Sequence, residues 1–519
     1  MNKKRKNKNT PSKNCHKNMQ TQSEHSSGGG GQLYNFLNKN IREFNPYIIS
    51  TLSIIFLVLV GIVSYKVNTT YAVFTDTIMG TKTIEITVKT GKLDTSGANA
   101  PVLDAAMIPV YYDESSSSWK KADEKNKDEN HKWYDYDSKM WANSVTVTPT
   151  NRSKYLSAEV GTEISMDDIL TMQVWIPRYK YKVWNYNADG KQKSSEQQIE
   201  ITFEKGTDKT GEITCTDNIQ GSGGNGTSET CKLDNKVCTD STCNGKTYTH
   251  PAFTFGDKEI KGFWMSKFEL REVGYKVNGE LNVSAGSKPN IGLDDSYSFY
   301  RVSEEFEKSI EMSANNNDYG FSTNTDTHMT KNSEWGAVAY LSHSKYGTCT
   351  DGKCVEIGLN DDYDLTTGCG PDSSSGCNEY NTESGMLAST TQNIYGIYDM
   401  SGGMNEYVMG NMVSSDGKTM LAGNSDFDTY PDDKYYDKYS YGTSLDDLKR
   451  SKLGDGTKEI YKGSGGWYDD STYLVRTNYP WYTRGNFAMD GDSGLFSSGF
   501  ISGDEFENSY VSIHVVITP

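Results

Sequence analysis

The sequence predicts an α+β protein that is rich in strands and contains few helices. Short segments alternate apolar and polar residues, as in Ile199, Ile201 and Phe203, which is typical of half-buried strands. Within residues 66–519, two stretches, 296–314 and 329–347, have the apolar spacing of amphipathic helices. Eight cysteines lie in close pairs within loops rich in Gly, Ser, Asp and Asn, which predicts long insertions between the regular elements.

The charge of the chain is divided unevenly. The net charge is -17, but residues 1–46 hold nine Lys or Arg and two Glu, which gives this segment +7. The remainder holds 43 basic and 67 acidic residues and carries -24. A strongly acidic surface repels phosphate backbones, so nucleic acid is excluded as a partner of the large portion. The basic head suits nucleic acid or anionic lipid.

The segment after the basic head favours lipid. Residues 47–65 are 19 residues without a charge, about the length that crosses a hydrocarbon core. Because positive charge precedes them, residues 1–46 are predicted to be a cytoplasmic tail, and the chain after the span is predicted to be extracellular. The alternative is a signal peptide cleaved near the small residue that ends TTYA, residues 69–72. Abundant Lys, Asn, Ile and Tyr indicate an AT-rich bacterial genome. The sequence thus predicts a single-pass bacterial cell-membrane protein.

The outer cysteines predict four local disulfides. Even numbers of cysteines in close pairs are typical of exported proteins, whereas Cys15 lies alone on the cytoplasmic side. The alternative is a metal site, because CTDSTC and CTDGKC each place four residues between two cysteines. Zinc ribbons usually have two residues there, and histidine is scarce nearby, so disulfides are favoured. The predicted pairs are Cys215–Cys231, Cys238–Cys243, Cys349–Cys354 and Cys369–Cys377.

The first outer region, residues 66–160, is predicted to be a small β-rich stalk. Ile84, Ile86 and Val88 alternate along one strand, and Val145 and Val147 alternate along another. Polar turns separate these short strands, and no stretch in the region carries a catalytic pattern. A spacer is therefore favoured over a site.

The second outer region, residues 161–519, is predicted to be one domain with insertions at about 205–248 and 346–380. Ser165 is expected to cap a short helix, and VWIPRYKYKVW (174–184) is expected to form a strand. The later elements are a helix capped by Asn332 or Ser333, with Trp335, Val338 and Leu341 facing inward, and a final strand in SYVSIHVVITP.

In order along the chain, these segments resemble the formylglycine-generating-enzyme (sulfatase-modifying factor) family, a branch of the C-type lectin fold. NIYGIYDMSGGMNEYVMG resembles the most specific motif of the family, and the other segments match its strands and its second helix. The resemblance implies a C-type-lectin-like domain with long insertions, preceded by the stalk and the transmembrane helix. The segments are VWIPRYKYKVW (174–184), FWMSKFELRE (263–272), SEWGAVAYLS (333–342), NIYGIYDMSGGMNEYVMG (393–410), TRGNF (483–487) and SIHVVI (512–517).

In this family the Gly-rich motif forms an irregular turn packed under the binding surface. Relatives hold a calcium ion with an Asn and a Glu of its second half. Here Gly403 replaces the Asn and Asn405 replaces a Trp, so one side-chain oxygen is lost and Glu406 with Asp399 would form a weak calcium site. The alternative is that Glu406 accepts hydrogen bonds from backbone N–H groups of the turn. Packing is expected from Tyr395, Ile397, Tyr398 and Met400.

The sequence predicts that the protein is not an enzyme. Catalytic members of the family use two cysteines about five residues apart, because no other side chain performs thiolate chemistry there. The matching segment, RGNFAMDGDSGLFSSGF (484–500), contains no cysteine, and none follows Cys377. No Ser-His-Asp elbow, P-loop or His-Glu-x-x-His motif is present. The iron-dependent relatives need clustered histidines, whereas the outer ones are scattered: His131, His250, His328, His343 and His514.

The C-terminal region instead predicts a recognition surface without a cofactor. SGGWYDDSTYLVRTNYPWYTRGNF (464–487) is dense in Tyr, Trp, Asn, Asp and Ser, which are typical of adaptable binding surfaces. It is similar to the variable proteins of diversity-generating retroelements. The expected ligand is an extracellular protein or glycan; the alternatives are a structural envelope or prophage-encoded protein and an oxidase. The residues expected to face the ligand are Trp467, Tyr468, Tyr473, Asn478, Tyr479, Trp481, Tyr482 and Asn486, although either Trp would also suit a core.

Overall fold

The computed structural model describes most of the outer region. A compact unit extends from Gly91 to Pro519. The predicted cytoplasmic tail, the membrane segment 47–65 and the alternating residues 84–88 lie outside the described part. No helix of that part is long and apolar enough to cross a membrane. The described residues are 94–186, 195–211, 213–218, 227–277, 280–290, 301–362, 364, 366–370, 377–442, 450–461, 465–486, 493–504 and 511–519.

Strands dominate this unit and helices are few, which confirms the predicted α+β class. The α-helices are α1 (Arg152–Ser157), α2 (Asp240–Cys243), α3 (Val302–Glu311) and α4 (Asn332–Ser342). The short 3-10 helices cover Glu129–His131, Tyr136–Ser138, Met166–Asp168, Pro251–Phe253, Gly385–Ala388, Asp433–Tyr435 and Trp467–Asp469.

The strands are numbered in chain order. The first twelve are β1 (Ile108–Asp113), β2 (Ser118–Lys121), β3 (Asn143–Val147), β4 (Ile169–Pro177), β5 (Tyr179–Lys182), β6 (Ile201–Phe203), β7 (Ile213–Asn218), β8 (Thr227–Leu233), β9 (Lys236–Val237), β10 (Thr247–Thr249), β11 (Thr254–Phe255) and β12 (Lys258–Glu259). The others are β13 (Gly262–Ser266), β14 (Arg271–Val277), β15 (Glu280–Gly286), β16 (Asp326–Met329), β17 (Cys349–Thr350), β18 (Lys353–Cys354), β19 (Asn405–Met412), β20 (Asp437–Tyr439), β21 (Trp481–Gly485), β22 (Gly494–Ile501), β23 (Val511–Ser512) and β24 (Val515–Thr518).

The largest sheet has seven strands in the order β16-β24-β13-β4-β3-β1-β2. Strand β3 pairs antiparallel with β4, so that Val145 lies opposite Met172. The strands of the predicted stalk are therefore part of the same sheet as the strands that follow residue 161. Both Val145 and Val147 are fully buried, because this region packs its own apolar face into the common unit.

A second sheet carries the C-terminal part of the unit. Its path is β20-β19-β21-β22, and β23 also pairs with β19. The Gly-rich motif divides between two structures, because its first half is an irregular turn and its second half, from Asn405, forms β19. The expected packing of the turn is found, since Ile397, Tyr398 and Met400 are fully buried.

Helix α4 is enclosed by the fold. The hydroxyl of Tyr179 on β5 donates to the carbonyl of Ala337, and the indole of Trp335 donates to the carbonyl of Leu495 on β22. All residues of α4 are buried, so the expected amphipathic helix is covered on every face. A Cβ at Gly336 would lie 2.0 Å from the carbonyl oxygen of Gly454, so only glycine permits this contact.

Several local predictions are confirmed. Ser165 caps the 3-10 helix Met166–Asp168 by accepting a hydrogen bond from the N–H of Asp167. The predicted closing strand is present as β23 and β24. The cap of α4 is different from the expected one, because the N-cap residue is Lys331, whose N–H donates to the carboxylate of Glu334. The carboxylate of Glu334 therefore satisfies the N–H of the N-cap residue itself.

Three of the four predicted disulfides are present. Sulfur–sulfur distances are 1.98 Å for Cys238–Cys243, 1.98 Å for Cys349–Cys354 and 1.99 Å for Cys369–Cys377. For the fourth pair, the register of β7 and β8 places Cys215 directly opposite Cys231. The side chain of Cys215 lies outside the described atoms.

Candidate functional site

The structure divides the eight residues that were expected to face a ligand. Trp467, Trp481 and Tyr482 are fully buried, and Asn486 is 9% exposed and donates to the hydroxyl of Ser471. Three of the eight lie on the surface and close together in sequence, and these are Tyr473, Asn478 and Tyr479. Half-buried Tyr468 bonds to His343 through its hydroxyl.

The burial of Trp481 and Tyr482 follows from the position of β21. This strand is central in its sheet, between β19 and β22, and other segments cover both of its faces: Phe427 packs against Trp481, and Tyr439 packs against Tyr482. The indole of Trp481 donates to the carbonyl of Ala422, and the hydroxyl of Tyr482 donates to the carbonyl of Arg450. These aromatic residues therefore stabilise the sheet and do not reach a ligand.

The three exposed residues, together with half-buried Arg476 and Phe500, form a patch that we name the tyrosine–arginine surface: Tyr473, Arg476, Asn478, Tyr479 and Phe500. The guanidinium carbon of Arg476 lies 4.5 Å from the ring centre of Tyr479 and 4.3 Å from that of Phe500. The Phe500 ring is 5.7 Å from Tyr473 and 5.4 Å from Tyr479. The cation thus packs against two rings that also contact each other, and the two tyrosines flank the phenylalanine.

A tight turn presents this surface. The N–H of Arg476 donates to the carbonyl of Tyr479 at 3.1 Å, and the N–H of Tyr479 donates back at 2.8 Å. Asn478 lies exposed at the tip of the turn. The N–H of Tyr473 donates to the carbonyl of Ser498 on β22, the strand that also carries Phe500. The patch is therefore built on a sheet and a short turn, which limits the entropy lost when a ligand binds.

Sequence reasoning missed Arg476 and Phe500. Phe500 follows Tyr473 by 27 residues in the sequence, and only the pairing of β21 with β22 brings it to the turn. The buried Nε atom of Arg476 has no hydrogen-bond partner in the described part of the chain. In a chain with a net charge of -17, this cation is free to meet an acidic group of a ligand.

The two residues predicted to hold calcium are both buried. The Oε2 atom of Glu406 lies 2.6 Å from Nδ1 of His514, a partner that the sequence did not predict. Asp399 accepts hydrogen bonds from the amide of Asn360 and the hydroxyl of Thr367. Among the described residues, neither Glu406 nor Asp399 belongs to a group of three His, Cys, Asp or Glu with ligand atoms within 4.8 Å. The calcium site stays a prediction.

Further buried acids lie near this pair and were missed from the sequence. Glu269 accepts a hydrogen bond from the N–H of Met404, while both carboxylate oxygens of Glu305 lack a hydrogen-bond partner among the described atoms. Burial raises the pKa of Glu269 and of Glu305 well above its usual value, and the charge of Glu406 raises both further. Burial also raises the pKa of Glu406, against the opposing effect of His514. Such carboxyls favour the protonated form.

Lys267 holds the irregular turn beside these acids. Its ammonium group donates to the carbonyls of Ile394 and Gly396, each at 2.6 Å. Burial lowers the pKa of Lys267 well below its usual value. Lys267, which belongs to the segment FWMSKFELRE, therefore fixes the Gly-rich motif. Because Lys267 is buried, this contact stabilises the fold and is not part of a surface.

A cavity of about 260 Å³ lies elsewhere in the unit, between β10 and the segment 450–461. Tyr248, Thr249, Leu453 and Asp455 are among the residues that line it. Beneath it, the hydroxyl of Tyr181 lies 2.5 Å from that of Tyr248 and donates to Glu459 at 2.8 Å. A chain of hydroxyl groups therefore connects the cavity to a buried carboxyl group. Burial raises the pKa of Glu459 from 4.5 to about 7.

Glu459 is expected to make the stability of the protein depend on pH. Its pKa is higher in the folded than in the unfolded chain, so its contribution to stability is complete below pH 4.5 and is lost as the pH rises to about 7. The difference in unfolding free energy between wild type and Glu459→Gln should change by about 3 kcal/mol across this range, in favour of the variant at high pH. Denaturant titrations at pH 4.5 and pH 8 measure it.

The control for this experiment is Glu124→Gln, which changes an exposed carboxylate. The difference in unfolding free energy between this variant and the wild type should be the same at both pH values. If the difference in unfolding free energy between Glu459→Gln and the wild type does not change with pH, the pKa of Glu459 is not raised by folding.

No protein-family model and no curated protein matches this chain. The resemblance to the formylglycine-generating-enzyme family therefore stays a prediction, carried by the quoted segments. The contacts that define the tyrosine–arginine surface do not depend on that resemblance.

Proposed function

We propose that this chain is a membrane-anchored, extracellular bacterial protein that binds a protein ligand through the tyrosine–arginine surface. In this proposal residues 47–65 anchor the chain, and the outer unit is a non-catalytic, C-type-lectin-like scaffold related to the formylglycine-generating enzymes. The observation that carries the proposal is the packing of Arg476 against the rings of both Tyr479 and Phe500 at an exposed turn.

The residue types of the surface favour recognition of a protein. Tyrosine and arginine are enriched at the energetic centres of protein interfaces, where a large ring is buried at low entropy cost. Tyr473 is 43% exposed and Tyr479 is 38% exposed, so both rings retain area that a ligand can cover. Each ring is already held against Phe500, which reduces the side-chain entropy lost on binding.

Charge indicates which ligand fits. Arg476 is a cation whose Nε atom has no hydrogen-bond partner among the described residues. A planar guanidinium binds a carboxylate with two parallel hydrogen bonds. The ligand is therefore expected to place an acidic side chain against Arg476 and apolar side chains against the tyrosine rings.

The non-catalytic part of the proposal rests on the sequence. The chain has no cysteine after Cys377, where the catalytic cysteines of the resembling family occur. The seven outer cysteines whose side chains are described are all in disulfides, so none of them is a free thiolate nucleophile.

The test is a binding screen with the 519-residue chain in detergent micelles against arrays of extracellular proteins and arrays of glycans. We expect saturable binding to a protein and its loss in the double variant Tyr473→Ala, Tyr479→Ala. Each central contact is expected to contribute about 2 kcal/mol, or about 30-fold in affinity. Binding to glycans alone would overturn the choice of ligand.

The matched control is Leu156→Ala. Leu156 lies on α1 and is 39% exposed, much like Tyr479, but it is outside the tyrosine–arginine surface. We expect this variant to bind as the wild type does. Equal loss of binding in both variants would assign the effect to the fold and not to the surface.

A further inference from the structure

The disulfide Cys349–Cys354 lies beside a buried histidine. One ring nitrogen of His343 and the two sulfur atoms lie within 4.8 Å of one another. His343 is 2% exposed, and its Nδ1 atom has no hydrogen-bond partner among the described residues. Buried polar atoms are normally bonded, so this nitrogen needs an explanation.

The backbone also pairs the two cysteines. Strands β17 and β18 form a hairpin whose register places Cys349 opposite Cys354. Asp351 and Gly352, at the turn, have φ values of 52° and 78°. Two central residues with positive φ match the right-handed twist of strands and favour such tight hairpins. The two sulfur atoms should therefore stay neighbours when the bond between them is reduced.

The histidine ring is also held in a fixed orientation. Its Nε2 atom lies 2.7 Å from the hydroxyl of Tyr468, and its ring centre lies 5.0 Å from that of Trp467. Bonding of one ring nitrogen orients the other, as in many metal sites of proteins.

We propose that His343, Cys349 and Cys354 form a binding site for a thiophilic metal ion of the Zn²⁺ type when the disulfide is reduced. Two thiolates and one imidazole are ligands that zinc prefers, and they leave a fourth position for water. Cys354 is half-buried and the turn beside it is exposed, so a reductant and a metal ion can reach the sulfur atoms. This inference does not depend on the ligand of the tyrosine–arginine surface.

The electrons and protons balance with a dithiol as the reductant. The dithiol transfers two electrons and two protons to the disulfide, whose sulfur–sulfur bond breaks to give two thiols, and the dithiol becomes a disulfide. The metal ion then replaces the two thiol protons, which are released to solvent. The neutral imidazole binds without losing a proton.

The test uses the 519-residue chain and Co²⁺, which replaces Zn²⁺ and gives a sulfur-to-cobalt charge-transfer band. We expect one Co²⁺ per chain at high affinity after reduction, and no such band before it. The variant Cys349→Ser, Cys354→Ser should lose this site. The variant His343→Gln should keep the fold and bind Co²⁺ at least about tenfold more weakly.

Cys238 and Cys243 give a matched control, because they also form a disulfide with four residues between them. They belong to no such three-ligand group in the described part of the chain. Cys238→Ser, Cys243→Ser should keep the high-affinity site. The proposal is overturned if the reduced wild type gives no band, or if the band is equal in the two double variants. Loss of near-ultraviolet circular dichroism on reduction alone also overturns it, because the hairpin must keep its register.

Discussion

Replacing Trp481 by alanine is expected to lower the free energy of unfolding by about 3–5 kcal/mol. The indole is fully buried on β21, donates to the carbonyl of Ala422 and lies 5.8 Å from the ring of Phe427. Removing it leaves a cavity and an acceptor without its donor, and both effects reduce stability. Equilibrium unfolding in urea measures the change.

Tyr479→Ala is the control for this result. Tyr479 is two residues before Trp481 and 38% exposed, so its removal should cost less than about 1 kcal/mol. A small effect of Trp481→Ala, or a larger effect of Tyr479→Ala, would contradict the assignment of Trp481 to the core and Tyr479 to the surface.

Arg178→Met is expected to destabilise the protein by a similar amount, about 3–5 kcal/mol. Arg178 is fully buried at the junction of β4 and β5, where it binds the carboxylates of Glu204 at 3.0 Å and Glu259 at 2.8 Å. It also donates to the carbonyls of Phe253 and Ile260. The substitution leaves Glu204 buried without its cation, which is the costly part of breaking such a pair.

Two further variants check the cause. Adding Glu204→Leu to Arg178→Met should restore part of the lost stability, since an apolar pair has no uncompensated charge. Lys308→Met breaks the exposed pair Lys308–Glu311 and should cost less than about 1 kcal/mol. If Arg178→Met costs no more than Lys308→Met, the buried ion pairs do not hold this junction.

Periodicity was sufficient to predict the local elements. The alternation of Ile201 and Phe203 around exposed Thr202 is found in β6, and the helical spacing of Trp335 and Val338 is found in α4. Close cysteine pairs were also predictable, because a disulfide between residues five apart depends on a short segment alone. These features share one property: their causes lie within a few residues of chain.

Contacts between distant segments account for the rest. Composition indicates aromatic residues near the C-terminus, but packing of distant residues onto the faces of β21, such as Phe427 and Tyr439, decides which of them are buried. Glu406 meets His514 across 108 residues, and no periodic pattern predicts that pair. Likewise, Phe500 reaches Arg476 only through strand pairing. Which side chains of the candidate site are buried, and which residues they contact, depends on tertiary packing. Patterns within one sequence do not reveal that packing.

The affinity of the Arg476→Ala variant for the protein ligand found by the array tests the proposed function most directly. Arg476→Ala removes the stacked cation and leaves the buried strands unchanged. Lys154→Ala is the control, because it removes an exposed cation on α1. We expect the dissociation constant to rise about 30-fold for Arg476→Ala and less than about twofold for Lys154→Ala. Equal dissociation constants for the two variants would contradict the proposal that the tyrosine–arginine surface binds the ligand.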